Sequence, residues 1–261
     1  MKNLAFFLLI AVLSIALFAC DRSDENQYEI EEGDVGETVL YFYPSFGDDL
    51  LTMFEDTYDY FDEMSLRFQL FQFYISDVTL ISPEHGEVMV KDVDLVTFKD
   101  IFDQSDSQRG IQIPLGEAPA GEYTSIRFGI GVNSQLNATQ PADYDLGHPL
   151  TTGNYWSWAA GYVFFKIEGN ADLDDNGNYS EKLTFHIGRD NYYREVAFDK
   201  NFMVVPYGKT PISLRVDLKD ALYNEESGEF LNFREVNQDH TTNPDVAEFL
   251  ANELKDAIQL R

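Results

Sequence analysis

The feature that most constrains this chain is a repeated alternation of apolar and polar residues along short segments. Ile126, Phe128 and Ile130 alternate with arginine or glycine positions, and the segment 212–218 repeats the pattern. Successive side chains of a β-strand point to opposite faces, so a period of two marks a strand with one buried face. The chain is therefore expected to fold mainly from half-buried strands.

Further strand candidates are rich in aromatic and β-branched residues and are separated by turn-forming segments such as "PEHGE", "GEAPAGEY" and "DDNGN". These candidates are "LRFQLFQFYISDVTL", "EVMVKDVDLVTF", "GYVFFKIEG", "EKLTFHIG" and "FMVVPYG". Many short strands with regular turns favour an all-β fold, here an antiparallel β-sandwich. A mature chain of about 240 residues is long enough to bury one substantial core.

Only the end of the chain has a helical pattern. Asn243 is a suitable N-cap and Pro244 suits the first helical position. One apolar stripe follows, formed by Val246, Phe249, Leu250, Leu254, Ala257 and Ile258. A short C-terminal helix packed on the sandwich is predicted. For residues 48–63 two interpretations stay open, a short helix or an acidic strand and loop.

The N-terminus has the pattern of an export signal. Lys2 precedes a short apolar run that ends at Cys20, and residues 17–20 resemble a lipoprotein signal, in which the cysteine carries the lipid. We expect a signal peptide at 1–19, a lipid anchor at Cys20, an acidic tether at 20–37 and one domain at 38–261; the alternative is a signal-anchor helix. The expected location is the bacterial cell envelope, as an outer-membrane lipoprotein facing the periplasm or the exterior.

The charge of the chain excludes some partners. Removal of residues 1–19 takes away one Lys and no acidic residue, which leaves 17 basic against 46 acidic residues and a net charge of −29. Nucleic acid is not an expected partner, because like charges repel across the whole surface. Cations or a basic protein would be attracted.

No enzyme motif is found. The sequence contains no G-x-S-x-G, H-E-x-x-H or G-x-G-x-x-G, and its one cysteine is assigned to the lipid. We therefore expect a binding protein and not an enzyme.

Four segments, in this order, resemble the MbnP-like copper-binding proteins, including their Bacteroidetes lipoprotein members. They are "FYISDVTL" (73–80), "LGEAPAGEYTSIRFGIGVN" (115–133), "YWSWAAGYVFFKIEG" (155–169) and "FHIG" (185–188). The resemblance extends from about Thr38 to the C-terminal helix. It implies a secreted β-sandwich that holds copper. In some members one tryptophan of the W-x-W segment is oxidised to kynurenine by a dihaem peroxidase-like partner.

The resemblance also implies ligands. His186 in "FHIG" matches the family's downstream histidine, whereas the segment Leu40 to Leu50, where copper-binding members carry another histidine, has none. His240 and His148 are the further metal candidates, with His85 remaining in a turn. Trp156 and Trp158 are the candidate modified ligands; core packing and an aromatic binding surface are the other interpretations of this pair.

A second metal pattern is present at 172–183. Asp172, Asp174, Asn176 and Gly177 reproduce the start of a calcium loop, but the twelfth position is a leucine. One interpretation is a structural calcium site closed by Glu181 or a backbone carbonyl. The other is an Asx-rich hairpin turn.

Two functions of different classes follow. The first is an envelope lipoprotein that binds copper through His186 and a tryptophan-derived kynurenine. The second is a non-enzymatic surface interaction lipoprotein with the same sandwich and no copper site, optionally stabilised by calcium.

Overall fold

A computed structural model describes residues 30–159 and 161–261. The predicted signal peptide, Cys20 and most of the predicted tether lie outside these residues. The first strand begins at Val35, just before the predicted start of the domain at Thr38. Within the described part of the chain, no helix combines the length and apolarity that crossing a membrane requires.

The chain is built mainly from strands. In chain order they are β1 (Val35–Phe46), β2 (Asp49–Leu50), β3 (Tyr58–Asp59), β4 (Ser65–Ser82), β5 (Gly86–Thr97), β6 (Ile111–Pro119), β7 (Gly121–Ile130), β8 (Tyr155–Trp156), β9 (Gly161–Asp172), β10 (Glu181–Gly188), β11 (Arg194–Val204), β12 (Lys209–Asp217), β13 (Tyr223–Asn224), β14 (Glu229–Phe230), β15 (Gln238–Asp239) and β16 (Ile258–Leu260). The α-helices are α1 (Gln104–Arg109), α2 (Ser134–Asn137) and α3 (Pro244–Asp256). In the described part of the chain, short 3₁₀ turns lie at Phe61–Glu63, Pro141–Asp143, Pro149–Thr151, Asp190–Tyr192 and Asp220–Leu222.

Two sheets form the layers of the sandwich. The first sheet has the order β16-β12-β1-β2, with β6 also paired to β1. The second has the order β11-β7-β4-β9-β10-β15, with β3 and β5 on β4 and β8 on β9. The all-β sandwich with a C-terminal helix is confirmed. The sheets are mixed, because β1 pairs with β12 and β10 pairs with β15 in parallel.

Aromatic side chains join the two sheets. Phe42 of β1 is fully buried, and its ring meets Phe73 of β4 at 5.6 Å and Phe128 of β7 at 6.2 Å, both edge to face. Aromatic pairs favour this arrangement, which adds to the free energy gained from burial. The predicted alternation holds in β7, where Ile126 and Ile130 are also buried.

The segment "GEAPAGEY" differs from the prediction of a turn. Residues 116–119 continue β6 and pair with β1, and β7 begins at Gly121. The chain passes here from the first sheet to the second. Gly121 has φ +145°, a conformation that side chains rarely adopt, so a glycine makes this abrupt crossing. Strand pairing supplies hydrogen bonds that a local turn prediction does not include.

Two further predictions concern residues 48–63 and the C-terminal helix. Residues 48–63 form β2, β3 and a 3₁₀ turn joined by loops, and no α-helix. The predicted C-terminal helix is present as α3, with Leu250 and Leu254 buried. It ends at Asp256, and Ile258, which the pattern placed on the helix, lies in β16 against β12.

We expect Asn243→Ala to lower the free energy of unfolding by about 1 kcal/mol. The Asn243 side chain accepts a hydrogen bond of 3.2 Å from the amide of Asp245, and alanine removes this cap. Urea denaturation of both proteins measures the loss, and Asn243→Ser, which keeps a capping oxygen, is the control. Equal stability of the alanine variant and the wild type would show that the cap contributes nothing.

Candidate metal centre

The tryptophan pair lies on the segment between β7 and β9. Trp156 pairs with Gly161 in the short β8–β9 ladder, and Trp158 lies in the turn that follows. The two rings are 5.2 Å apart with a tilt of 38°. Trp156 is half-buried, whereas Trp158 is 63% exposed, so Trp158 is not a core residue. The pair forms an aromatic surface with one face open to solvent.

Asn154 anchors the start of this tryptophan segment. Its side chain is buried, and its Oδ1 accepts a hydrogen bond of 2.9 Å from Nε2 of Gln72 on β4. Its carbonyl accepts one of 2.7 Å from the amide of Val163. Each unpaired buried polar group is costly, so these bonds fix where Trp156 can lie. Nothing in the sequence pattern had indicated Asn154.

Gly188 lets Trp156 approach β10. A Cβ at Gly188 would lie 3.1 Å from Cζ3 of Trp156 and would collide with the carbonyl oxygen of Tyr162. Residues two apart on a strand face the same side, and His186 lies two residues before Gly188 on β10. Trp156 therefore packs on the face that carries His186, and the backbone positions of Gly188 and His186 are about 7 Å apart along the strand. The glycine of "FHIG" therefore brings an indole ring to the histidine's face.

His186 projects from β10 into a polar neighbourhood. It pairs directly with Lys166 of β9, and its Nε2 lies 2.6 Å from Oε1 of Glu168. Its side chain is 16% exposed. The ring of His240 meets it edge to face, with 4.8 Å between centroids. The structure thus brings together two of the three histidines that the sequence nominated.

A tight turn after β15 holds His240 in place. Oδ1 of Asp239 accepts hydrogen bonds from the amides of Thr242 and Asn243 at 2.9 and 3.0 Å. The hydroxyl of Thr241 donates to the carbonyl of His186 and accepts from the amide of Gly188. This hydroxyl ties the turn to β10 on both sides of Ile187, directly after His186, so the turn that carries His240 is held beside His186.

Burial has the largest effect on the pKa of His186. It lowers the pKa of His186 below its ordinary value, while the hydrogen bond to Glu168 acts in the opposite direction. Burial also lowers the pKa of Lys166. A lowered pKa leaves the His186 imidazole neutral at neutral pH, which is the form that binds a metal.

The donor chemistry of the centre fits Cu(I) in part. Imidazole side chains are suitable ligands for this ion. Within residues 30–159 and 161–261, no group of three or more His, Cys, Asp or Glu side chains is arranged to hold a metal. An indole offers one N–H donor and no acceptor lone pair, so an unmodified tryptophan does not complete the site through nitrogen.

His148 has the contacts of a loop residue. Its ring stacks on Tyr144, with 4.1 Å between centroids, and its Nδ1 accepts a hydrogen bond of 3.2 Å from the amide of Leu150. This contact caps the 3₁₀ turn Pro149–Thr151. His148 therefore has a structural role that explains it without a metal.

The predicted calcium loop connects β9 and β10. The carboxylate of Asp172 is buried and accepts hydrogen bonds from the amides of Asp174, at 3.2 Å, and Gly177, at 2.6 Å. Asn176 accepts from the amide of Asn178, and Glu181 accepts from the side chain of Asn237. These bonds are those of an Asx-rich hairpin turn. The turn interpretation accounts for the geometry, and calcium binding stays a prediction.

Two residues beside His186 were missed by sequence reasoning. Glu168 and Lys166 are polar residues at alternating positions of β9 in an otherwise apolar segment. This alternation was the available signal for a polar outer face. Their closeness to His186 depends on the strand register, which the sequence does not specify.

We expect Gly188→Ala to destabilise the protein by about 1–3 kcal/mol, as overpacking does, and to displace Trp156. The added methyl group meets the backbone of Tyr162 as well as the indole ring. Tryptophan fluorescence and urea denaturation report the two effects, and Ser157→Ala, an exposed change between the tryptophans, is the control. An unchanged emission spectrum would contradict the packing of Trp156 on Gly188.

Comparison with known proteins gives one family and one fold match. The family model of MbnP matches residues 35–242. Among solved structures, MbnP from Methylosinus trichosporium aligns with a TM-score of 0.56 and 15% sequence identity, covering 82% of this chain and 87% of that chain. At this identity the structural match supports the fold alone. No curated protein matches the chain significantly.

Proposed function

Because the chain belongs to the MbnP family, we propose that it binds copper at the cell envelope, with His186 and His240 as imidazole ligands beside Trp156. The observation that carries this proposal is the contact between the two histidine rings, 4.8 Å apart, on the strand face against which Trp156 packs. The segment Leu40 to Leu50 lacks a histidine. His240 supplies the second imidazole in its place.

A third ligand is proposed to come from a tryptophan. Oxidation of an indole to kynurenine breaks the C2–C3 bond, places a ketone oxygen on C3 and releases C2 as formate. The product has an aromatic amine with a lone pair, which an indole lacks. Trp156 is better placed than Trp158 to become this ligand, because its ring lies against Gly188, two residues from His186. A dihaem peroxidase-like partner is the proposed catalyst, with hydrogen peroxide as the oxidant, and the exposed Trp158 leaves this segment accessible to it.

The protein's own residues would act as a binding site and not as an enzyme. His186 and His240 would bind the ion, Thr241 would hold the two histidines together, and Asn154 would fix the tryptophan segment. Imidazole ligands carry no negative charge, so the positive charge of bound Cu(I) would not be offset by its histidine ligands. The surplus of acidic residues attracts cations and a basic partner protein.

The location is also part of the proposal. A lipid on Cys20 and the acidic tether would hold the domain on the outer membrane, facing either the periplasm or the exterior. The net negative charge disfavours contact of the domain itself with anionic lipid head groups.

A second candidate is an interaction lipoprotein that keeps the fold without copper. The observation in its favour is that Nε2 of His186 already has a partner in Glu168, and that histidine is absent from Leu40 to Leu50. The acidic turn at 172–177 would then be a structural element, with or without calcium.

Metal content and peptide mass distinguish the two candidates. We expect the mature protein purified from its native envelope to contain about one copper per chain, and the peptide spanning Trp156 and Trp158 to show the mass of one kynurenine. The control is the same gene expressed in a host that lacks the peroxidase-like partner, where both tryptophans are expected to be unmodified. Native protein with intact tryptophans and no copper would favour the interaction lipoprotein.

A further inference from the structure

The contact between Glu168 and His186 is short and specific. Oε1 of Glu168 lies 2.6 Å from Nε2 of His186, and the Glu168 side chain is 29% exposed. Glu168 pairs with Thr184 on β10, so it approaches His186 diagonally across the ladder, on the same face. The residue of β9 that pairs directly with His186 is Lys166.

The chemistry of the two groups fixes the position of one proton. An ionised carboxylate accepts hydrogen bonds and cannot donate them, so Nε2 of His186 is the donor. A neutral imidazole carries one N–H, which leaves Nδ1 with its lone pair. Partners of this kind orient the ring of a metal-binding histidine and raise its basicity.

We propose that Glu168 is a positioning residue for His186: it holds the imidazole in the tautomer protonated on Nε2 and leaves Nδ1 as the nitrogen that binds the metal. This proposal rests on the proposed copper-binding function. It assigns to Glu168 a role in metal affinity that is exerted through His186, without direct contact with the ion.

Two other roles for Glu168 make different predictions. A carboxylate that only ties β9 to β10 would affect stability and leave the tautomer of His186 unchanged. A carboxylate that itself binds the metal would have to release His186, so the proton on Nε2 would no longer be held in the metal-bound protein.

The test uses the mature protein labelled with ¹⁵N at histidine. In metal-free wild type, long-range ¹H–¹⁵N spectra are expected to show His186 protonated on Nε2 and unprotonated on Nδ1. Glu168→Ala is expected to give a mixture of tautomers. Its affinity for Cu(I), measured without oxygen by competition with a chromophoric chelator, should fall about 10- to 100-fold.

Two further variants separate positioning from charge and folding. Glu168→Gln keeps a carbonyl oxygen that accepts from Nε2, so it is expected to retain the tautomer and recover part of the Cu(I) affinity. Glu122→Gln removes an exposed carboxylate from β7 of the same sheet and should match the wild type in both measurements. Thermal unfolding of each variant identifies any loss of folded protein.

The outcomes distinguish this proposal from the proposed function. A wild-type His186 protonated on Nδ1, or a Glu168→Ala variant with wild-type tautomer and Cu(I) affinity, would overturn the positioning role alone. Wild-type protein that binds no Cu(I), in the kynurenine-containing native form, would overturn the proposed function and with it the metal part of this proposal.

Discussion

Replacement of His186 by alanine is expected to weaken Cu(I) binding by more than about 100-fold. Loss of a residue that only orients a metal ligand through a hydrogen bond typically costs about 10- to 100-fold. The change removes one of two imidazoles held in contact, and no group of three or more His, Cys, Asp or Glu side chains among the described residues is arranged to hold the ion without it. His240→Ala is expected to have a similar effect. Competition with a chromophoric Cu(I) chelator measures the affinity, and retained copper after dialysis checks it.

His85 supplies the matched control for this prediction. Its Nε2 lies 3.2 Å from the carbonyl oxygen of Ala120, beside the crossing at Gly121. His85→Gln removes an imidazole from the chain without changing the two rings of the candidate centre, so Cu(I) affinity should stay at the wild-type value. If His85→Gln and His186→Ala reduced the affinity equally, the loss would come from general destabilisation and not from a ligand.

The largest effect on stability is expected from Phe42→Ala, at about 3–5 kcal/mol. Phe42 is fully buried and joins the two sheets through Phe73 and Phe128, so alanine leaves a cavity that two layers must close. A loss of this size is a large part of the roughly 5–15 kcal/mol that stabilises a typical domain. Urea denaturation measures the change, with the same dependence of the free energy of unfolding on urea concentration fitted to both proteins.

The preceding residue in the sequence is the control for Phe42. Tyr41 lies on the opposite face of β1, is half-buried, and accepts a hydrogen bond of 2.6 Å from Gln112. Tyr41→Ala is therefore expected to cost clearly less than Phe42→Ala. Equal losses would mean that the inter-sheet contacts of Phe42 do not dominate the core.

Individual strands and the start of the C-terminal helix were predictable from the sequence. Which strands pair with one another was not. The alternation around Phe128 predicted β7 because strand periodicity is a property of neighbouring residues. Asn243 and Pro244 predicted the start of α3 for the same reason. The parallel pairing of β1 with β12 joins Glu37 to Lys209, and no local pattern specifies which distant segments pair.

The candidate site shows the same division. His186 and the tryptophans were nominated by segments that resemble a family, and His240 by the scarcity of histidine. Glu168 was not found, because its position beside His186 follows from the register of β9 and β10, including the irregularity near Gly188. A one-residue slip would place Glu168 on the opposite face.

The most direct test of the account is to follow all four histidines while Cu(I) is added. The chain contains only His85, His148, His186 and His240, so their imidazole resonances can each be assigned by single substitutions. We predict that the resonances of His186 and His240 shift together and saturate at one equivalent of Cu(I), while those of His85 and His148 stay unchanged. Saturation with no shift of His186, or a shift centred on His148, would contradict the proposed centre.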